Sequence, residues 1–593
     1  MKKLINSADQ VVRESLAGVV ALGAGVAALA GENTLLRADL AQVHARGEVA
    51  LISGGGAGHE PAHAGFVGPG LLTAAVSGQV FASPTVDAVL AAIRAACGSV
   101  GALLIVKNYT GDRLNFGLAA EIARAEGLDV RVVVVADDAA LGDAAATGRR
   151  GLAGTLFVHK VAGAAAALGL TLAEVAAAAQ HASDSVRTMG VGLTACTLPG
   201  AARPGFELGS REIELGLGIH GEPGVRRAEL SSADQLVAQL LDRVVTDLAL
   251  ARGSRVALLV NGLGATPQLE LGVVARAALA WLDEHGILVE RALCGSYLTA
   301  LDMAGCSLSL MKVDEDLLHW LDAPAQSLAW PSLLLRPTSA PPVIPALRQP
   351  PPQATAPRSA KAASPRLRIG IEAVVQSLLQ AESQLTELDR AVGDGDLGTS
   401  LAQGAAAIRR DLGSYPSHPP AATFRAMAAT VRHAVGGTSG PLYALGLLRA
   451  AQALESMDAR YALAWAQALE AAAEAIAKTG GASLGDRTML DAMFPAARAM
   501  RETLQRGSDA LVALKAAAAA AEHAAAQTAD LVPRRGRASY LGERALGHPD
   551  PGAHAVAVWL RALATALAAE PVAPRAGPGA PSMKGASCHP RTP

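Results

Sequence analysis

Two kinds of apolar patterning divide the chain. In the first half, short unbroken runs of Val, Ile, Leu and Ala recur: Val49–Ile52, Ala102–Val106 and Val130–Val135. Helical spacing fills the gaps, as in Thr85–Ala96. Continuous apolar runs of this length suit buried parallel strands, and their alternation with helices predicts an α/β layer structure to about residue 185. A second α/β region is predicted over about 186–335, with strands at Arg255–Val260, Val289–Leu293 and Ser307–Val313. From about 367 to 570 the pattern is helical almost throughout, in long Ala- and Leu-rich segments broken at glycines. The stretch 336–366 between the halves is dense in Pro and Ala and predicts a spacer, and 571–593 predicts a disordered tail.

Composition narrows the class. At 593 residues the chain exceeds one ordinary core. A net charge of −2 favours neither nucleic acid nor an anionic membrane as partner. The cysteines, Cys97, Cys196, Cys294, Cys306 and Cys588, show no pairing pattern, so a cytoplasmic protein is expected. The apolar run Gly18–Ala30 is too short and glycine-rich to span a bilayer, and the first residues lack a signal-peptide core.

The most charged turn carries the first chemical clue. Asp389, Asp394 and Asp396 stand close together around Gly393 and Gly395, after a helical run through Leu385 and Leu388. Carboxylates so close repel one another unless a cation lies between them, and an all-oxygen set suits Mg²⁺ or Ca²⁺. A solvated acidic turn is the bland alternative. Three further glycine-centred segments follow: Gly436–Pro441, Gly480–Leu490 and the basic run Arg534–Arg544 with Gly547–Gly552. In these, Arg487 is a possible phosphate ligand and Met489 a possible contact for a nucleobase. No Walker motif or protein-kinase set occurs, so any nucleotide site here stands on a helical scaffold.

The first half has its own candidates. The strand at Val49–Ser53 runs into a glycine cluster, Gly54-Gly55-Gly56-Ala57-Gly58-His59, whose N–H groups could surround a small polar ligand. His59-Glu60-Pro61-Ala62-His63 matches HExxH literally, yet Pro61 confines it to a first helical turn at most, which argues against a zinc site. Lys107 and Asp112 follow a strand end, where an Asp could take a proton and a Lys could hold an oxygen; a surface salt bridge is the alternative. His220 lies between glycines on a turn, where an accessible imidazole could attack a carbonyl carbon.

Taken together, GGGAGHEPAHAG (54–65), IVKNYTGDRLNFG (105–117), GLGIHG (216–221), LDRAVGDGDLGT (388–399), GGTSGP (436–441), GDRTM (485–489) and RASYLGER (537–544) resemble the single-chain, ATP-dependent dihydroxyacetone kinases. The resemblance implies a triose-binding α/β domain over 1–335, an antiparallel helical barrel holding ATP and Mg²⁺ over 367–570, and a homodimer. It implies that His220 forms a hemiaminal with the ketone. Gly56, Ala57, Gly58, His59, Lys107 and Asp112 would hold the triose, with His59 and Asp112 catalytic beside His220 and Asp112 the proton acceptor. Asp389, Asp394 and Asp396 would bind Mg²⁺. Leu397, Gly398, Thr399, Ser400, Thr438, Ser439, Gly481, Met489, Leu490, Arg537, Asp550, Pro551 and Gly552 would form the nucleotide shell. The sequence departs from the family pattern at Ala57, where Ser is common, at Leu484, where Pro is frequent, and at Leu397. Relatives using a phosphotransferase protein as donor carry His at the position of Leu397, so Leu397 points to free ATP. Other short sugars such as glyceraldehyde or erythrulose, cleavage of FAD to a cyclic FMN, and a non-catalytic regulator are the rival readings.

Overall fold

The computed structural model describes residues 2–23, 25–141, 148–222, 224–331, 334–338, 365–416, 418–457 and 461–569. It divides into two compact units, Met1–Leu347 and Arg348–Pro593, each described by itself. Most of the expected spacer and all of the expected tail lie outside the described residues.

The first unit contains two six-stranded sheets. The first is built from β1 (Val26–Ala28), β2 (Thr34–Arg37), β3 (Ala50–Ala57), β4 (Ala74–Val80), β5 (Ala102–Lys107) and β6 (Val130–Val135), in the order β1-β2-β4-β3-β5-β6. Pairing is parallel from β4 through β6 and antiparallel at the β1–β2–β4 side. The second sheet holds β7 (Val186–Gly192), β8 (Glu212–Leu215), β9 (Arg226–Glu229), β10 (Arg255–Gly262), β11 (Leu288–Gly295) and β12 (Gly305–Lys312), in the order β11-β10-β12-β7-β8-β9. Only its β10–β11 pair is parallel.

The continuous apolar runs have a layered cause. Alternate residues of β5 point to opposite faces, and both faces are covered. Leu104 and Val106 pack with Val89, Ile93 and Phe116 of the helices Val86–Ala96 and Thr110–Ala125. Leu103 and Ile105 pack with Phe157 and Val161 of the helix Thr155–Ala167. That helix also meets residues of the second sheet, Leu259 and Met311, in the same core. It is buried on nearly every side, so it shows no polar face. A Cβ at its Gly163 would lie 2.2 Å from the carbonyl oxygen of Gly70, so glycine permits the close approach.

The second unit is all helix among its described residues. The helices Pro365–Gln380, Leu397–Asp411, Pro420–Ala434, Ser439–Ser456, Ala462–Gly480, Leu490–Gln505, Ala510–Gln527 and Pro551–Ala568 each pack on the next, and the last packs on the first. Glu382–Val392 lies beside this closed ring. The core is largely alanine, including Ala451, Ala464, Ala473, Ala492, Ala513, Ala521 and Ala553. Alanine loses no side-chain rotamer entropy on burial and lets helix axes approach closely. Because consecutive helices run up and down, the N-termini at Leu397, Ser439, Leu490 and Pro551 gather at one rim with the C-termini at Gln380, Gly480 and Gln527.

Candidate functional sites

The glycine cluster is part of the strand, not a loop after it. β3 extends to Ala57 and pairs Gly54 with Val76 and Gly55 with Ser77 before a bulge. A Cβ on Gly54 would sit 2.2 Å from the Val76 carbonyl oxygen. On Gly56 it would sit 2.7–2.8 Å from backbone atoms of Phe81 and Ala82. The glycines therefore let the segment around Phe81 press onto the end of β3. Phe81 itself has φ +58°, a strained conformation for a bulky residue and one concentrated at functional sites.

Phe81 forms one wall of an aromatic cage around His220. The His220 ring centroid lies 5.1 Å from that of Phe81, 4.8 Å from that of His59 and 4.7 Å from that of Tyr109, all edge-on. Phe81 also stacks on His59 at 5.1 Å. His220 is carried by the β8–β9 connection, and its side chain remains 20% exposed. Its Nδ1 lies 2.8 Å from Glu222 Oε1, and its backbone N–H donates to Glu222 Oε2 at 3.0 Å. Burial works to raise the Glu222 carboxyl, but the hydrogen bonds it accepts from the side chain and backbone of His220 outweigh it and hold the group below its usual range.

His59 is wholly buried, with Nδ1 2.7 Å from the Thr299 carbonyl oxygen and Nε2 without a protein partner. A carbonyl only accepts, so Nδ1 carries the hydrogen and Nε2 is a bare acceptor. Burial, then the nearby His220 and Lys107, hold its pKa well below the ordinary imidazole value. Lys107 ends β5, is 1% exposed, and donates to His63 Nε2 at 2.7 Å and to the Gly54 carbonyl at 3.3 Å. Burial lowers its pKa, against the pull of Asp112 and Asp137. Asp112 stands in the first turn of Thr110–Ala125, buried, and accepts from the Ser83 hydroxyl. A Cβ on Gly55 would approach Lys107 Nζ to 2.7 Å and Asp112 Oδ2 to 3.4 Å, so these groups converge on the glycine strand. The surface-salt-bridge alternative fails: both groups are buried, and the ammonium bonds to His63 and Gly54.

The HExxH segment is a turn without helix. His59 faces His220, whereas His63 faces Lys107 and the ring of His159, so the two imidazoles do not share a ligand position. Among the described residues, the groupings able to hold a metal reduce to Asp389, Asp394 and Asp396.

In the second unit those three carboxylates have ligand oxygens all within 4.8 Å of one another. Asp389 is the best buried and ends the helix Glu382–Val392, where its Oδ2 accepts from the Leu397 N–H at 3.0 Å. Asp394 lies in the intervening turn, and Asp396 caps Leu397–Asp411 without a side-chain capping bond. The oxygen-only donor set fits a hard divalent cation. Leu397, Gly398, Thr399 and Ser400 are the first turn of the helix that begins there. A Cβ on Gly398 would meet the Glu382 carbonyl at 2.2 Å, so this turn is seated tightly on the acidic helix. Arg537 pairs with Asp394.

The remaining candidates lie on the same rim. Thr438 and Ser439 start one helix. Gly481 ends Ala462–Gly480 with φ +61°. Met489 and Leu490 start another helix, and a Cβ on Gly552 would lie 3.4 Å from that of Met489. Asp550, with Pro551 after it, caps the last helix and accepts from the Ala553 N–H at 2.7 Å; burial pushes its carboxyl up to about 7. Arg487 is 1% exposed and donates through Nε and Nη2 to the carbonyls of Thr528, Ala545 and His548, so it ties the rim loops together, while its Nη1 has no protein partner.

Sequence reasoning missed Glu222, Phe81 and Tyr109. Tyr109 stood inside the motif at 105–117, and Glu222 follows the motif at 216–221, two residues past His220 on a glycine turn, a spacing that allows a carboxylate to fold back. Phe81 carried no signal, because its role follows from where β4 leads.

Comparison with known proteins gives the family. Residues 17–329 match the model of the Dak1 domain, and residues 391–565 that of the DAK2 domain. The chain belongs to the dihydroxyacetone kinase family. It is 44% identical to the triokinase/FMN cyclase of Homo sapiens over 95% of this chain and 99% of that protein. It is also similar to the crystal structure of the dihydroxyacetone kinase of C. freundii, with a TM-score of 0.62 and 35% identity over 95% of this chain and 99% of the other. The same C. freundii enzyme in complex with AMP-PNP and Mg²⁺ matches with a TM-score of 0.61, 35% identity and the same coverage. The protein is thus a kinase, a phosphotransferase, with an α/β first half and an all-helical second half. No helix among the described residues is long and apolar enough to cross a membrane.

Proposed function

We propose that the protein transfers the γ-phosphoryl group of Mg-ATP to a terminal hydroxyl of dihydroxyacetone, which is held covalently on His220. The observation that carries the reading is the cage itself. An accessible imidazole is set edge-on to three rings, with Lys107 and Asp112 converging on the glycine strand nearby. A lone pair of His220 adds to the carbonyl carbon, the carbonyl π pair moves to oxygen, and that oxygen takes a proton from solvent. Such an adduct selects short carbonyl compounds and fixes the reacting hydroxyl in place. The backbone of Gly56, Ala57 and Gly58 lines the triose, with the Gly58 N–H already donated to the Glu60 carboxylate; Lys107 donates to the triose and the bare Nε2 of His59 accepts from it. Asp112 accepts the proton of the attacking hydroxyl as oxygen bonds to phosphorus and the bond to the β-phosphate breaks.

In the second unit Asp389, Asp394 and Asp396 would hold Mg²⁺, as their shared oxygen cluster fits. Bound there, the ion supplies charge neutralisation for the phosphates. The helix starts at Leu397–Ser400 and Thr438–Ser439 direct N–H groups toward phosphate oxygens. Gly481, Met489, Leu490, Arg537, Asp550, Pro551 and Gly552 complete the shell. A steady-state assay with ATP, Mg²⁺ and dihydroxyacetone tests the reading, with glyceraldehyde and erythrulose as competing substrates; absence of turnover with any of them rejects it. The human relative's second name favours one further reading, cleavage of FAD to a cyclic FMN in the nucleotide site. Replacing ATP and triose with FAD in the same assay measures it.

A further inference from the structure

We infer that Glu222 is the positioning residue that makes Nε2 the nucleophilic nitrogen of His220. The inference rests on the covalent capture proposed above. A neutral imidazole has one N–H and one lone pair, and which nitrogen holds which is set by the hydrogen bond the ring makes. Here Nδ1 lies 2.8 Å from a carboxylate oxygen, an acceptor only, so Nδ1 carries the hydrogen and the lone pair belongs to Nε2. The carboxylate is itself fixed. Its second oxygen accepts the His220 backbone N–H at 3.0 Å, and the turn closes through Gly218 N–H to the Glu222 carbonyl at 3.3 Å.

The turn is shaped to admit this carboxylate. A Cβ on Gly218 would stand 2.0 Å from Glu222 Oε2, so no other residue fits at 218 with Glu222 in place. Arg150 braces the same turn from below, donating to the Gly216 carbonyl at 2.6 Å while paired with Asp138 at 2.7 Å. When Nε2 bonds to the carbonyl carbon and the former carbonyl oxygen gains its proton from solvent, the ring becomes a cation. The Nδ1–H stays donated to Glu222, which then faces a full positive charge. Glu222 therefore acts twice, presenting the lone pair beforehand and balancing the charge afterwards.

The test uses the full chain and dihydroxyacetone labelled with ¹³C at the carbonyl. In the wild-type protein, NMR should show the label as a tetrahedral adduct and the His220 ring as the Nδ1–H form. Glu222→Gln should lower kcat/KM for the triose by roughly 10²- to 10⁴-fold, the upper figure being what a wrong imidazole tautomer costs a catalytic triad. It should also lose most of the tetrahedral signal and leave the KM for ATP unchanged. Glu222→Asp should restore part of both, and Gly218→Ala should reproduce the Glu222→Gln defect with the carboxylate still present. If Glu222→Gln keeps the wild-type adduct and tautomer, the role of Glu222 is overturned. If the wild-type protein itself shows no adduct, covalent capture fails instead, whatever Glu222 does. Circular dichroism of each variant separates these outcomes from unfolding: a variant that loses the fold is replaced by Glu222→Asp, whose wild-type tautomer with unrestored activity would also overturn the inference.

Discussion

The two candidate sites are built on opposite principles. The pocket proposed for the triose is largely built by the protein's own contacts. His59, Lys107 and Asp112 are each buried and already hydrogen-bonded, and His220 is clamped by its own turn. The acidic site on the helical rim is not finished. Its three carboxylates share one small volume, and an arginine, Arg537, pairs with one of them. Preorganisation suits the proposed capture of a small ketone, which offers few contacts. Like charges held together suit a site whose missing partner is a cation. In the proposed reading, one site is ordered by the protein's own hydrogen bonds and the other draws its balance of charge from a bound cation.

The largest test of this contrast removes the nucleophile. His220→Ala should lower triose phosphorylation by on the order of 10³-fold or more. ATP binding, followed by calorimetry, should not change, because the rim is untouched. Asp394→Asn strikes the other site. It should cut activity roughly 10- to 100-fold at limiting Mg²⁺. Excess Mg²⁺ should recover part of the loss, and the tetrahedral adduct should persist.

Acid should act with opposite sign on two buried groups, one in each unit. His159, buried behind the pocket, is pushed down to about 3 by burial and then by Lys107, against 6.5 for a free imidazole. The unfolded chain therefore binds a proton that the folded one refuses between these values. Stability in the first unit falls as pH drops below about 6.5, by about 2 kcal/mol at pH 5 from this group. Asp550 does the reverse in the second unit. Its folded value of about 7 lies above its ordinary 3.8, so its contribution grows as pH falls through 7 toward 3.8. Hydrogen exchange on the full chain at pH 7 and pH 5 should show the helix around His159 loosening while the rim around Asp550 tightens. His159→Gln should flatten the first slope. The smallest effect concerns packing. Gly56→Ala drives a methyl into backbone atoms of Phe81 and Ala82, at a cost of about 1–3 kcal/mol, read as a lower Tm and a raised KM for triose.

Much of this was legible beforehand because it is local. Continuous apolar runs marked β3, β5 and β6, and most candidate groups sat at element ends or turns, where the pattern changes. What escaped depends on the third dimension. The glycines of β3 belong to the strand because β4 pairs beside them, which no window of sequence reveals. Arg487 beside glycines suggested an anion, yet its guanidinium serves three carbonyls from loops up to 61 residues away. Phe81 became a wall of the His220 cage only through the path of the chain after β4. Charge type and spacing indicate which chemistry is available, whereas burial decides whether a polar side chain faces a ligand or the protein.

The ring of helices carries one more consequence. Its last member seals against its first, with Gly370 and Leu563 in contact near the opening and closing ends of the unit. Beginning and end of this half thus emerge side by side. A short tether joining them, with a fresh cut in the loop between Gln505 and Ala510, should yield a permuted barrel with the same rim. The order in which the helices are synthesised is then separable from the order in which they stand.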